Sequence, residues 1–139
     1  QKLAQEFGAT AYVAERGDEG VKKVKELLGG GADAALDCVG TEASINQCLA
    51  VVHNGAHVSR IGVPHSNVDT FTLFAHNIAM AGGSARVTTY DKNVLLKAVL
   101  DGQINPGKVF TKTYTLDQIN EAHQTNLAMA GLKIAIINE

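Results

Sequence analysis

Ala34-Ala35-Leu36-Asp37-Cys38-Val39-Gly40 is a mostly apolar run that ends in glycine, and together with the helix signal just after it this run decides the fold. A run of this length and character reads as a strand covered on both faces, which is the habit of parallel sheets. Thr41 or Ser44 can cap a helix that carries Ile45, Cys48, Leu49 and Val52 at i, i+3, i+4 and i+7. Asn54-Gly55 is expected to end that helix. Ala56–Val63, closed by Pro64, is the next expected strand. Strand, helix and strand in direct succession require a crossover, hence parallel pairing with the helix on one face of the sheet.

The same alternation extends both ways. Upstream, Thr10–Ala14 reads as a short strand. Asp18 can cap a helix bearing Val21, Val24, Leu27 and Leu28, and Gly29-Gly30-Gly31 stops it. At the start, Leu3 and Phe7 stand at i, i+4 before Gly8, the pattern of a helix end, so the chain is expected to be a fragment. Downstream, a polar loop from residue 65 leads to an apolar turn of Phe71, Leu73 and Phe74. Ile78–Ala81 reads as a strand before Gly82-Gly83. Asp91 can cap a helix with Val94, Leu95, Ala98 and Val99. Val109–Tyr114 reads as extended, Thr115-x-x-Gln118 as a capping box, and Leu132–Ile137 as the last strand. The expected fold is α/β, a mainly parallel sheet with flanking helices in one domain over residues 1–139.

Composition narrows the function. Among 139 residues, 12 Lys+Arg stand against 14 Asp+Glu, a net charge of −2. No basic field draws nucleic acid or an anionic membrane. No apolar run approaches the ~18 residues that a membrane span needs. Two cysteines, Cys38 and Cys48, are too few for a disulfide framework, and no Asn-x-Ser/Thr acceptor occurs; both favour a cytoplasmic setting.

Local motifs are sparse. Gly29-Gly30-Gly31-Ala32-Asp33-Ala34 matches G-x-G-x-x-A, but these glycines follow a helix and precede a strand, the reverse of a dinucleotide fingerprint. The five histidines show no metal-ligand spacing, and no metal site is expected. No Ser occupies a G-x-S-x-G elbow. Ligands of open α/β sheets lie beyond the carboxyl ends of the strands, which points to Gly40-Thr41, Gly62-Val63-Pro64 and Gly82-Gly83-Ser84. Gly40 and Gly62 either admit a ligand to the backbone or serve turn chemistry alone. Asp37 either binds a ribose or bonds nearby backbone amides. Arg60 is out of place within a buried strand, so either it meets an acidic partner or the strand is less covered than expected.

Six blocks in order carry a resemblance over essentially the whole chain. They are Phe7–Thr10, Gly31–Gly40, Gly55–Pro64, Asn77–Gly83, Leu100–Phe110 and Gly131–Ile137. Together they resemble the C-terminal portion of the zinc-dependent medium-chain alcohol dehydrogenases. The resemblance implies a Rossmann-like nucleotide-binding domain, here from after its second strand onward, followed by the segment that closes the chain. The family's glycine fingerprint, first two strands and zinc ligands would lie upstream of Gln1.

The resemblance further implies NAD or NADP as cofactor. Val39, Gly40 and Thr41 would line the adenosine and ribose crevice. Ile61, Gly62 and Val63 would flank the nicotinamide, and Gly83 and Ser84 would add backbone contacts. Lys133 would reach the pyrophosphate, its alternative being a solvated lysine at a strand end. No catalytic or metal-binding residue falls within this stretch. Zinc would polarise the alcohol oxygen of a small alcohol or carbonyl substrate in the parent enzyme, and the isolated fragment would be inactive. The strand at 78–82 matches an edge that pairs between subunits, implying a homo-oligomer. Ser59-Arg60 departs from the family's apolar pattern there. A fragment of a zinc-free quinone reductase of the same superfamily is the nearest rival. A non-catalytic α/β binding or interaction module is the rival from another class.

Overall fold

The computed structural model describes residues 1–85 and 87–138. The chain divides into two compact units, Gln1–Ala85 and Arg86–Glu139.

The first unit opens with α1 (Lys2–Glu6) and α2 (Gly17–Leu28). Asp18 and Glu19 lie in the first turn of α2 and Lys25 in its last, matching the helix dipole at both ends. Gly29 closes α2, so the glycine run is a helix stop before a strand. Next come β1 (Ala32–Asp37), α3 (Glu42–Val51), β2 (Val52–Arg60), α4 (Thr70–Ala75) and β3 (Ala79–Gly82). The three strands form one sheet in the order β1-β2-β3, and both pairings are parallel. The ladder ends in step: Asp37 lies opposite Arg60, and Arg60 opposite Gly82.

The core lies between α3 and this sheet. Ile45 of α3 is fully buried against Val52, Ala56 and Val58 of β2 and Ile78 ahead of β3. Cys48, Leu49, Leu73 and Met80 close its rim.

The second unit holds α5 (Thr89–Leu100), β4 (Phe110–Thr115), α6 (Ile119–Leu127) and β5 (Lys133–Ile137), with β4 and β5 paired in parallel. Thr88 and Asp91 form a reciprocal capping box at the start of α5. The expected box of Thr115 and Gln118 forms over a 3-10 turn, Leu116–Gln118, that leads into α6. The Tyr114 hydroxyl meets the Thr125 Oγ1 at 2.9 Å, fastening α6 to β4.

Five local expectations need correction. Asp18 does not cap α2: the N-cap is Arg16, and Asp18 lies within the first turn. Thr10–Ala14 forms no strand and finds no ladder partner among the described residues. Asn54-Gly55 does not end α3: Val52 is already extended, and Gly55 adopts φ +83° inside β2. There four residues of β2, 53–56, stand between the partners of Ala32 and Ala34, where β1 has Asp33 alone, so the dipeptide marks a bulge. The apolar turn at 71–74 is α4, because Asp69 caps it by accepting from the Phe71 N–H and the Thr72 hydroxyl. At α5 the N-cap is Thr88, with Asp91 as its N3 partner rather than the cap.

Ile45 is a fully buried side chain in a small core, and its truncation leaves a cavity against β2. Ile45→Ala is expected to lower unfolding free energy by about 2–5 kcal/mol, measured by urea denaturation.

Candidate functional site

Asp37 is the last residue of β1, and its carboxylate is out of contact with solvent. Oδ1 accepts from the N–H of Val39 at 3.1 Å, the N–H of Gly40 at 2.9 Å and the Ser44 hydroxyl at 2.8 Å. The open alternative for this carboxylate is thereby decided: it is occupied by its own backbone and α3. The Asp37 carbonyl oxygen accepts from the N–H groups of Ile61 and Gly62, each at 2.8 Å. One residue thus anchors both the loop after β1 and the loop after β2. It also explains why β2 stops at Arg60, short of the expected Val63.

Burial alone would raise the Asp37 pKa. The Gly40 N–H, the Ser44 hydroxyl, the Val39 N–H and the nearby Arg60 outweigh that, and hold the carboxyl below its ordinary value. Arg60, opposite Asp37 in the ladder, brings Nε to 3.6 Å from Oδ2. Its guanidinium also donates from Nη1 to the Ser66 carbonyl and from Nη2 to the Gly40 carbonyl, both at 3.4 Å. The acidic partner sought for Arg60 is Asp37. The charge inside the strand pattern pointed to a partner, but not to which one.

The two loops touch backbone to backbone. A Cβ at Gly40, where φ is +89°, would stand 1.9 Å from the Val63 carbonyl oxygen. A Cβ at Gly62 would stand 2.5 Å from the Val39 carbonyl carbon. The His65 N–H donates to the Gly40 carbonyl at 2.9 Å and seals the contact. Thr41 starts α3, its Oγ1 accepting from the Ser44 N–H.

Beside this contact lies a cleft of about 700 Å³, bordered by Arg60, Ile61, Gly62, Val63, Gly83 and Ser84, with Pro64 and Met80 adding apolar wall. The structure therefore brings five of the expected residues to one cleft, and sets Val39, Gly40 and Thr41 on the adjoining loop. Val39, Ile61 and Val63 stand 62%, 65% and 70% exposed and form an apolar rim there. Lys133 is the first residue of β5, exposed, and belongs to the second unit. Another cleft, about 510 Å³, includes Lys25, Asn46, Asn54, Asp69 and His76; it lacks the glycine backbone that the strand-end cleft presents.

Among the described residues, no three His, Cys, Asp or Glu side chains come together to hold a metal ion. The described residues therefore offer zinc no ligand set. Both cysteines are free, and burial raises the Cys48 thiol. Among the described residues no helix is long and apolar enough to cross a membrane.

The parallel sheet and its strand-end cleft define a Rossmann-like α/β unit. Solved structures share the fold. An alcohol dehydrogenase from Thermus sp. ATN1 superposes with a TM-score of 0.85 at 21% identity, over 99% of this chain and 41% of its own. A zinc-dependent alcohol dehydrogenase from Streptococcus pneumonia, in apo form, gives 0.82 at 27% identity, over 99% and 41%. In sequence, an alcohol dehydrogenase of Cupriavidus necator is 31% identical, over 97% of this chain and 39% of its own length. The chain thus spans about two fifths of these relatives. The family model of the zinc-binding dehydrogenases matches residues 1–99. The chain belongs to the zinc-binding dehydrogenase family.

The lowered Asp37 pKa has a direction in pH. A carboxyl whose folded pKa lies below its unfolded value of about 3.9 adds stability above that pH, and loses it as pH falls through the folded value. Asp37→Asn is expected to cost about 1–3 kcal/mol at neutral pH and to flatten the acid limb of stability, measured by urea titrations from pH 7 downward.

Proposed function

We propose that residues 1–139 are the dinucleotide-holding part of an NAD(P)-dependent alcohol dehydrogenase. One observation carries this reading: the loops after β1 and β2 meet backbone to backbone, Gly40 against Val63 and Gly62 against Val39, beside a cleft at the carboxyl ends of parallel strands. Open α/β sheets take nucleotides at that edge. About 700 Å³ lies within the range of small-molecule sites.

The bound dinucleotide supplies the hydride chemistry, between its nicotinamide and a small alcohol or carbonyl compound. The chain's own residues bind and orient. Val39, Gly40 and Thr41 line the ribose and adenosine side. Ile61 and Val63 offer apolar faces to the nicotinamide ring, with Gly62, Gly83 and Ser84 giving backbone polar groups and close approach. Water leaves that apolar rim when the ring covers it, which favours binding. Lys133 meets the pyrophosphate, a role that rests on the family resemblance. The family reading also favours a homo-oligomer through β3, whose edge away from β2 pairs with no strand among the described residues.

The test uses the full-length gene product. Alcohol-dependent reduction of NAD or NADP is expected, and failure to bind either nucleotide overturns the reading. A charge-assisted lysine–phosphate bond is worth about 1.5–3 kcal/mol. Lys133→Ala is therefore expected to weaken cofactor binding about tenfold or more at low salt, with little change in stability. The difference should shrink at high ionic strength, as calorimetry would show.

A further inference from the structure

Resting on that reading, we infer that Arg60 is a positioning residue for the dinucleotide: its guanidinium ties the adenosine-side loop to the nicotinamide-side loop and fixes the distance between them. Three observations carry this. Nη2 donates to the Gly40 carbonyl in the loop after β1, while Nη1 donates to the Ser66 carbonyl in the loop after β2. Nε lies against the Asp37 carboxylate, which itself holds the N–H groups of Val39 and Gly40. Arg60 also borders the cleft, although its side chain is only 13% exposed.

The planar fork of a guanidinium holds its donors in fixed, spread directions toward two carbonyls and a carboxylate, whereas an ammonium is a compact charge whose three donors rotate about one point. Asp37 Oδ2, Arg60 Nε and Ser66 Oγ are buried with no hydrogen-bond partner among the described residues. Such unspent polar groups are not what fold stability alone requires, since an apolar side chain in the strand would carry none of their desolvation. The brace is placed where two loops must hold one extended ligand. A ligand that touches both loops depends on their spacing; a ligand that touches one does not.

The experiment measures calorimetric dissociation constants of the full-length gene product for the dinucleotide that the wild type binds, and for AMP, which occupies the adenosine side alone. Arg60→Met is expected to weaken the dinucleotide about tenfold and AMP less than twofold. Arg60→Lys keeps the charge beside Asp37 and guards against loss of folding. It is expected to retain wild-type thermal stability, yet still to weaken the dinucleotide at least fivefold. Equal losses for both ligands, or wild-type dinucleotide binding by Arg60→Lys, overturn the brace and leave the cofactor reading intact. A wild type that binds neither ligand overturns the cofactor reading itself, and the brace with it.

Discussion

One buried carboxylate holds the carboxyl edge of the three-stranded sheet together. Taking the charge of Asp37 out of water costs several kcal/mol, on the order of what a whole domain has to spare. Three donors on Oδ1 and a guanidinium beside Oδ2 offset that cost. The donors are local: two backbone N–H groups just past the strand, and a hydroxyl in the first turn of α3. The carboxylate therefore fixes the path from β1 into α3, while its own carbonyl oxygen takes the two N–H groups that turn the chain after β2. Side chain and main chain of one residue hold different loops, and neither can shift without leaving a buried polar atom unpaired.

That constraint decides what the edge can bind. Drawn together this closely, the loops have no room for a Cβ at Gly40 or Gly62, so their backbones pack directly on each other beside the cleft. What projects instead is Val39, Ile61 and Val63, largely exposed and apolar. A cleft with glycine backbone in its wall and an apolar rim suits a flat, partly polar ring better than a compact ion. The nicotinamide of the proposed cofactor is such a ring.

Some of this was legible in the residues. The run Ala34–Val39 and the spacing of Ile45, Cys48 and Leu49 defined β1 and α3, because apolar periodicity and a Thr41 cap agree there. Thr10–Ala14 has strand-like composition, but a strand exists only with a partner, and composition does not reveal one. Asn54-Gly55 carries the same signal for a helix stop and for a bulge; the tertiary bond from the Gly55 N–H to the His76 carbonyl favours the bulge. Asp69 carries a cap signal for α4, but it stands in a polar loop whose composition masks it. Arg60 announced itself as a charge out of place, yet its partner depends on the register of β1 against β2, which no local pattern encodes.

Register also explains why the site forms a single surface. Asp37, Arg60 and Gly82 lie side by side across the ends of three strands. A Cβ at Gly82 would stand 2.7 Å from the Arg60 carbonyl oxygen, so β3 too approaches β2 closely there, though less so than the first two loops approach each other. Because the ladder ends at one level, the three loops leave the sheet together and their backbones face one edge. A slip of one residue in β2 would turn Arg60 to the other face of the sheet and put Ser59 or Ile61 beside Asp37. The carboxylate would then lose its cation, and the loops their common level. The same alignment that neutralises the buried charge thus gives an extended ligand a continuous edge on which to lie.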